Sequence, residues 1–279
     1  MANPDNTIQR QRLVVRIGNG TLAFSTINEN GRAVYEVYEV NNSISMAANL
    51  REALRTEPLL QQRYRRVLVM IDTTVLMVPI DLFSKELCEE LYYHTFTRQD
   101  QHCVLYNVMS DLSCVAVFSM HRDLRTVIQD AFDPDEDQSC EISYAAARST
   151  VWQHLHQRSY TGPRLKLYCY FLDNRLEIFS FTQNRFKFYN NFTANNPDDA
   201  LYYILATWKQ LGMDATHDEL HMVGKLPDGE ALKAKVPEFV KRVYVINPSG
   251  EFNRAPVTQL AGIPYDMVTL YMNGNIKRQ

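Results

Sequence analysis

Residues 13–40 and 165–192 carry the same pattern, and this repeat constrains the fold more than any other feature of the chain. The first copy reads LVVRIGNGTLAFSTINENGRAVYEVYEV and the second reads LKLYCYFLDNRLEIFSFTQNRFKFYNNF. In each copy, three alternating apolar runs are separated by turn-forming pairs, which are Asn19-Gly20, Asn30-Gly31, Asp173-Asn174 and Gln183-Asn184. The copies lie about half the chain apart. The repeat therefore predicts two domains that each begin with a three-stranded antiparallel meander.

Composition and charge exclude several classes of protein. Hydrophobic residues make up 46% of the chain and charged residues 22%, which is typical of a globular protein. The net charge of −3 gives no bulk attraction to nucleic acid or to an anionic membrane. The segment MANPDNTIQRQRL lacks the apolar core of a signal peptide, and no apolar run approaches the roughly 20 residues of a membrane helix. Five cysteines without paired spacing fit reduced thiols. We expect a cytoplasmic protein with no membrane span and no nucleic-acid partner.

Helices and strands alternate after the first meander. Ser45 is expected to cap a helix, and the apolar run at 67–72 predicts a strand buried on both faces. The segment at about 73–119 is additional, because the second half of the chain has no counterpart for it. It predicts a strand ending near Pro79, a helix capped by Ser84 and a hairpin around Ser110-Asp111.

The acidic run at 133–137 is the sharpest change of composition, and we place the domain boundary just after it. The first domain is then 1–141, with an inserted subdomain at about 73–119, and the second domain is 142–279. In the second domain the sequence predicts a long helix at 143–158 and, after the meander, a helix at 197–211 that is capped by Asn196. Four elements follow: a strand at 219–224, a helix begun by Asp228, a strand at 242–246 and a last helix at 264–274. Antiparallel meanders joined to such crossovers indicate mixed α/β sheets with helices on their faces.

The duplicated βββαβαβ order resembles the actin-like ATPase superfamily, whose two domains are ribonuclease H-like. More closely, the chain resembles a bacterial family of similar length, a domain of unknown function with that fold. The segments that carry this resemblance are TTVLMVPIDLF, NVMSDLSCVAVF and NNFTANNPDDALYYILATWKQLGMDATHDELHMVGKL. The inserted segment is placed like the small subdomain of cell-division and pilus-assembly actin homologues.

The resemblance implies a Mg-ATP site built from two hairpins that carry Asp-x-Gly and from a Gly-Gly turn. The matching first hairpin is Arg16-Ile17-Gly18-Asn19-Gly20-Thr21, where Arg16 stands in place of the Asp. A guanidinium repels Mg²⁺ and cannot accept a hydrogen bond from metal-bound water. The second hairpin around Asp173-Asn174 has no Asp-x-Gly, and Gly224-Lys225 matches the Gly-Gly turn only in part. By resemblance, the candidate nucleotide-binding residues are Arg16, Gly18, Asn19, Gly20, Thr21, Gly224 and Lys225.

A simpler interpretation is that Asn19-Gly20 only makes a good hairpin turn, as Asn30-Gly31 does. A ribonuclease H-like nuclease is disfavoured, because Arg16 also occupies its first metal-binding position and no second acid aligns with Asp72. His217 and His221 lack the adjacent glutamate of a metalloprotease helix and run into a predicted strand. We therefore predict no catalytic residues and no metal site.

Two hypotheses for the function remain. The favoured one is a non-catalytic scaffold or adaptor that binds another protein and needs no cofactor. A homo-oligomer is one further interpretation. The alternative is a nucleotide-binding protein or weak ATPase that uses the cleft between its domains and binds ATP. Aromatic residues concentrate on the third strands of both meanders, and any that remain exposed would favour protein binding; they are Tyr35, Tyr38, Phe188, Tyr189 and Phe192.

Overall fold

The computed structural model describes residues 12–28, 30–133, 140–160 and 162–273. The chain divides into two units. The first runs to Val108 and resumes with Val115–Ser149, and the second consists of Met109–Cys114 and the residues from Thr150 onward. Most of the predicted acidic loop at 133–137 lies outside the described residues.

The first meander forms part of a mixed five-stranded sheet. The strands are β1 (Leu13–Ile17), β2 (Leu22–Ile27), β3 (Ala33–Tyr38), β4 (Arg66–Ile71) and β8 (Glu141–Ala146), in the order β3-β2-β1-β4-β8. The three meander strands pair antiparallel, whereas β1 pairs parallel with β4 and β4 with β8. Because β1 and β4 are central, their residues are buried almost without interruption, as the continuous apolar run predicts.

Two helices of the first unit begin at side-chain caps. These helices are α1 (Met46–Thr56) and α3 (Arg122–Phe132), which pack against each other. The Ser45 hydroxyl accepts a hydrogen bond from the Ala48 amide at 3.1 Å, so the predicted cap is confirmed. At the start of α3 the His121 ring accepts from the Asp123 amide at 3.2 Å. Each cap satisfies an amide that has no partner inside its helix.

The inserted segment forms a small sheet of its own. Its elements are β5 (Val75–Pro79), α2 (Cys88–Thr95), β6 (His102–Met109) and β7 (Cys114–His121), with strand order β5-β7-β6. A separate apolar cluster joins them, made of Val78, Cys88, Tyr92, Val115 and Val117. The predicted cap at Ser84 is wrong. Its hydroxyl donates to the Glu86 carboxylate at 2.7 Å, and α2 begins only after Leu87, which provides no side-chain cap.

The second meander builds a sheet with the same order and orientation. Its strands are β9 (Lys166–Leu172), β10 (Arg175–Thr182), β11 (Arg185–Thr193), β12 (Glu219–Gly224) and β13 (Val243–Val245), in the order β11-β10-β9-β12-β13. β12 pairs parallel with both β9 and β13. The predicted βββαβαβ arrangement is thus confirmed in both units. The predicted aromatic residues of β3 and β11 are all half-buried.

The helices of the second unit are α4 (Ser149–Ser159), α5 (Pro197–Gln210), α6 (Gly229–Lys235), α7 (Pro248–Glu251) and α8 (Tyr265–Asn273). The first residue of α4, Ser149, is the last residue of the first unit. Asn196 caps α5 as predicted, since its side-chain oxygen accepts from the Asp199 amide at 2.9 Å. The last two helices are bound to α4. The Glu251 carboxylate accepts hydrogen bonds from Tyr265 at 2.7 Å and from Arg158, and the Thr150 hydroxyl donates to the Asp266 carbonyl at 2.8 Å.

The predicted helix at 143–158 is wrong in its first part. Residues up to Ala146 form β8, which pairs with β4, and the Ala147 amide donates to the Ile71 carbonyl at 2.9 Å. The alanine-rich run at 145–147 favours a helix by local propensity. Parallel pairing beside a buried strand overrides that preference, because small side chains fit a crowded sheet interior.

Candidate functional site

The first hairpin is a tight turn with its glycines in two different roles. The Gly18 amide donates to the Thr21 carbonyl at 2.8 Å and closes the turn, which leaves Asn19 and Gly20 exposed at its tip. Gly20 has φ of +71°, a left-handed conformation that glycine adopts easily. Gly18 instead provides space, because a Cβ there would overlap the Thr21 hydroxyl oxygen and lie 3.2 Å from Arg16 Nη1.

Arg16 lies beside this turn in a buried cluster of charged groups. Its Nη2 atom is 3.8 Å from Asp72 Oδ2, and Arg148 Nη1 is 2.7 Å from Asp72 Oδ1. All three side chains are nearly inaccessible to solvent. The parallel register of β1 with β4 brings Asp72 next to Arg16, since the Asp72 amide donates to the Ile17 carbonyl at 2.8 Å directly after β4 ends. We call Arg16, Asp72 and Arg148 the arginine cluster.

The arginine cluster has the chemistry of an anion site rather than a metal site. Two guanidinium groups converge on one carboxylate, so the carboxylate already has cationic partners. Guanidinium groups repel Mg²⁺ but match phosphate and carboxylate groups well. The Thr21 hydroxyl oxygen is buried and has no hydrogen-bond partner among the described residues. Arg16, Gly18 and Thr21 are thus brought together, whereas Asn19 and Gly20 point away into solvent.

The remaining two candidates, Gly224 and Lys225, belong to the second unit. Gly224 has φ of +97°, and a Cβ there would overlap the Phe171 carbonyl oxygen. The Lys225 amide donates to that same oxygen at 3.0 Å, and the Lys225 side chain is exposed. The close approach of β12 to β9 therefore explains this glycine without any ligand.

The second hairpin differs from the first in every residue that matters for phosphate binding. Its turn is Asp173-Asn174, with Asp173 at φ of +52°, and bulky Leu172 and Arg175 flank it. There is no glycine to let a phosphate approach the backbone. The position of the acid that would organise hydrated magnesium is held by Arg16 in the first hairpin and, by strand register, by Tyr170 in the second, whereas Asp173 lies in the turn itself. These residues do not fit Mg-ATP.

The histidines considered for metal binding have other partners. His217 hydrogen-bonds Asp214 at 3.2 Å in an exposed loop, and His221 on β12 hydrogen-bonds Glu219 at 3.0 Å. Within the described parts of the chain, no three or more His, Cys, Asp or Glu residues are grouped so that they could hold a metal ion.

Sequence reasoning missed two members of the arginine cluster. The sequence marks Asp72 only as an acid at the end of the apolar run at 67–72, and it predicts a helix where Arg148 lies. The contacts of Asp72 with Arg16 and Arg148 join residues far apart in the sequence and depend on strand pairing. The only local signal is that each polar residue follows a buried parallel strand, where neighbouring strand ends meet at one edge of the sheet.

Comparison with known proteins gives a family and a fold. The family described as "Protein of unknown function (DUF3822)" matches residues 3–243. A protein from Bacteroides thetaiotaomicron with an actin-like ATPase fold and unknown function is 25% identical, with a TM-score of 0.78 over 93% of this chain and 99% of that one. A chain of the PilM-PilN type IV pilus biogenesis complex is 10% identical, with a TM-score of 0.59 over 94% of this chain and 96% of that one. No curated protein matches this chain.

Among the described residues, no helix is both long enough and apolar enough to cross a membrane. The likeness to the first of these structures extends over nearly the whole of both chains, and the matched family model covers most of this one. The predicted resemblance is thereby confirmed. The chain belongs to the DUF3822 family and has the actin-like ATPase fold.

Proposed function

We propose that this protein is a non-catalytic scaffold or adaptor that binds another protein, and that it does not hydrolyse ATP. The arginine cluster carries the proposal. In an actin-like ATPase the hairpin acid holds hydrated magnesium, and here the same place is taken by Arg16. The nearby carboxylate, Asp72, is bound by Arg148 at 2.7 Å. Recruiting Asp72 to a metal would leave two buried cations without it, at a high electrostatic cost.

A fold neighbour supports the protein-binding half of the proposal. PilM, which shares this fold, occurs in a complex with PilN. At 10% identity this likeness carries the fold alone, so the choice of partner does not transfer. An actin-like fold can present a binding surface without using its nucleotide site.

The second candidate function is metal-free binding of a nucleotide or another phosphorylated ligand. Its support is the buried Thr21 hydroxyl, which has no partner among the described residues and lies next to Gly18, close to Arg16. A phosphate oxygen would satisfy that hydroxyl, and an arginine would supply the charge.

Calorimetric titration with ATP, with and without magnesium, separates the two functions. The scaffold proposal expects no magnesium-dependent binding by the wild type at millimolar nucleotide, measured at two temperatures so that a zero enthalpy cannot hide binding. The metal-free alternative expects binding that is unchanged by magnesium and is lost in Gly18→Val. Micromolar binding that requires magnesium, accompanied by phosphate release, would overturn the proposal.

The Arg16→Asp variant provides a sharper arm of this experiment. A latent ATP site should gain magnesium-dependent affinity when the acid is restored, whereas a scaffold should not respond. Arg32→Asp is the matched control, since Arg32 is an exposed arginine at the next turn of the same meander. Circular dichroism of both variants confirms that they are folded.

A further inference from the structure

Arg125 on α3 is a half-buried cation without an acid partner. Its Nε atom is buried and has no hydrogen-bond partner among the described residues, and no described carboxylate forms an ion pair with it. The buried arginines of the same unit differ, because Arg16 and Arg148 share the Asp72 carboxylate. Removing a guanidinium N–H from water without giving it an acceptor is costly. The surroundings of Arg125 therefore lack one component, which is a hydrogen-bond acceptor.

Tyr144 on β8 presents a second unsatisfied group beside Arg125. The Arg125 Cζ atom lies 5.8 Å from the centre of the Tyr144 ring, and the Tyr144 hydroxyl is buried without a hydrogen-bond partner among the described residues. Burial raises the pKa of the Tyr144 phenol above its usual 10.0, and the nearby charge of Arg125 opposes that shift. No well-directed hydrogen bond joins the two groups. A hydroxyl proton and an Nε proton are thus left without an acceptor beside each other in the first unit.

The elements that carry these two side chains are firmly held. β8 pairs with β4 along its whole length, and the Asn107 side chain of β6 binds the backbone of β8 as well. Asn107 Nδ2 donates to the Tyr144 carbonyl at 2.8 Å, and Asn107 Oδ1 accepts from the Ala146 amide at 2.9 Å. α3 is anchored by its buried Leu124 and Ile128. The two donors are therefore positioned before any ligand arrives, which lowers the entropic cost of binding.

We propose that Arg125 and Tyr144 form a binding site for a carboxylate group. A carboxylate accepts two hydrogen bonds from the edge of a guanidinium, and a further lone pair accepts the phenol proton. One cation and one neutral donor balance a single negative charge, whereas a phosphate dianion would need a second cation. Arg122, one turn earlier on α3, directs its Nε to the His102 carbonyl oxygen at 3.1 Å instead. Arg125 and Tyr144 are both only half-buried, so a ligand reaches them from the surface.

This inference goes beyond the proposed scaffold function and does not depend on it. The ATP titration reads the first hairpin, whereas this site lies between α3 and β8. A carboxylate has two sources, which are a free small acid and an acidic side chain of a partner protein. The second source would give a scaffold one of its contacts, and the probes below distinguish the two.

The test is an NMR titration of the full-length protein, in which the Arg125 Nε–H signal is identified by its loss in Arg125→Lys. The probes are sodium acetate and a capped tripeptide whose middle residue is glutamate, each compared with sodium chloride at the same ionic strength. We expect the signal to shift with acetate until it saturates, and the thermal midpoint of unfolding to rise with acetate concentration. Tighter binding of the tripeptide assigns the site to a protein partner, and tighter binding of acetate assigns it to a free acid.

Two substitutions separate the contributions of the donors. Tyr144→Phe removes only the hydroxyl and is expected to weaken acetate binding about 10-fold. It should not lower the stability of the free protein, because that hydroxyl makes no hydrogen bond with the described residues. Arg125→Gln removes the charge and is expected to abolish the rise of the thermal midpoint with acetate. Arg122→Gln is the matched control, since Arg122 is an exposed arginine of the same helix, and it should bind acetate within about 3-fold of the wild type.

Three results would overturn the proposal. The first is no saturable shift of the Arg125 signal with either probe, which would mean that a buried water satisfies both donors. The second is a rise of the thermal midpoint with acetate that persists in Arg125→Gln, which would place the bound anion elsewhere. The third is tighter binding of inorganic phosphate than of acetate by the wild type, which would mean that the site selects a dianion.

Discussion

The two hairpins occupy the same place in the two sheets, yet they contain opposite chemistry. In the first unit Ile17 pairs with Leu22 and Ile71, and in the second unit Phe171 pairs with Leu176 and Gly224. By this register Arg16 corresponds to Tyr170, and Asp72 corresponds to Lys225. One position therefore holds a buried guanidinium in the first unit and a buried phenol in the second. The topology itself does not require a charge there.

The glycines that provide space also lie at different positions in the two units. The first unit has its space-making glycine in the hairpin, at Gly18, and the second has it at the end of β12, at Gly224. Gly18 makes room for a threonine and an arginine, whereas Gly224 makes room for a backbone carbonyl. In the first unit the glycine therefore lies in a tight hairpin beside charged groups, and in the second unit it lies where two strands pack closely. Substitutions at these positions test how far that contrast holds.

The largest expected effect is that of Asp72→Asn. It leaves Arg16 and Arg148 buried without the carboxylate between them, and we expect a loss of about 4 kcal/mol in the free energy of unfolding. Urea unfolding measures the loss, and hydrogen exchange should place it in β1, β4 and β8. Asp81→Asn, at an exposed position, is the control. A loss below about 1 kcal/mol would mean that the arginine cluster contributes little to the stability of the first unit.

Gly224→Ala should come next, at about 3 kcal/mol, because alanine disfavours the left-handed conformation and its Cβ would overlap the Phe171 carbonyl. Both tryptophans, Trp152 and Trp208, belong to the second unit, so tryptophan fluorescence follows that unit during unfolding. The matched control is Gly250→Ala, where an added Cβ meets no atom. Equal stability of the two variants would contradict the close approach of β12 to β9.

Gly18→Ala should cost less, about 1 kcal/mol, since its added Cβ meets a side chain that can rotate rather than a backbone atom. The double variant Gly18→Ala with Thr21→Ala should recover most of that loss, because removing the hydroxyl removes the overlap. The loss of stability and its recovery are measured from the urea midpoints of the two variants. A double variant less stable than Gly18→Ala alone would show that the Thr21 hydroxyl has a stabilising role in the first hairpin.

The smallest effect is the contribution of His221, in the second unit, to the pH dependence of stability. Burial between the rings of Tyr168 and Tyr244 lowers the pKa of His221 from its usual 6.5, although the Glu219 carboxylate opposes the shift. The unfolded chain therefore binds a proton first as the pH falls below 6.5, and the stability that neutral His221 contributes above that pH is lost. His221→Gln should reduce, without abolishing, the dependence of the urea midpoint on pH between about 7 and 5, because burial also lowers the pKa of His154, to about 4. His94→Gln, on the exposed face of α2, should leave it as in the wild type.

The sequence predicts those parts of this molecule whose signals are local. Both meanders follow from alternating apolar residues with turn pairs, and α5 follows from Asn196, Pro197 and Gly212. The end of β8 is missed because its alanines have no β signal, and only pairing with β4 makes them part of a strand. The arginine cluster is missed for the same reason. Arg16 was recognised from its motif, but its relation to Asp72 and Arg148 exists only once three parallel strands are aligned.

The attachment of α7 and α8 to α4 has a consequence for any attempt to work with the family-matched region by itself. That region ends at residue 243, before both helices. Yet Met267, Val268 and Leu270 are fully or nearly fully buried, and Glu251 is held by Tyr265 and Arg158. A fragment cut at the match would expose the buried Thr150 and His154 side chains of α4 and remove the Glu251 carboxylate from Arg158. The region matched by the family is therefore shorter than the region that the second unit needs in order to fold stably.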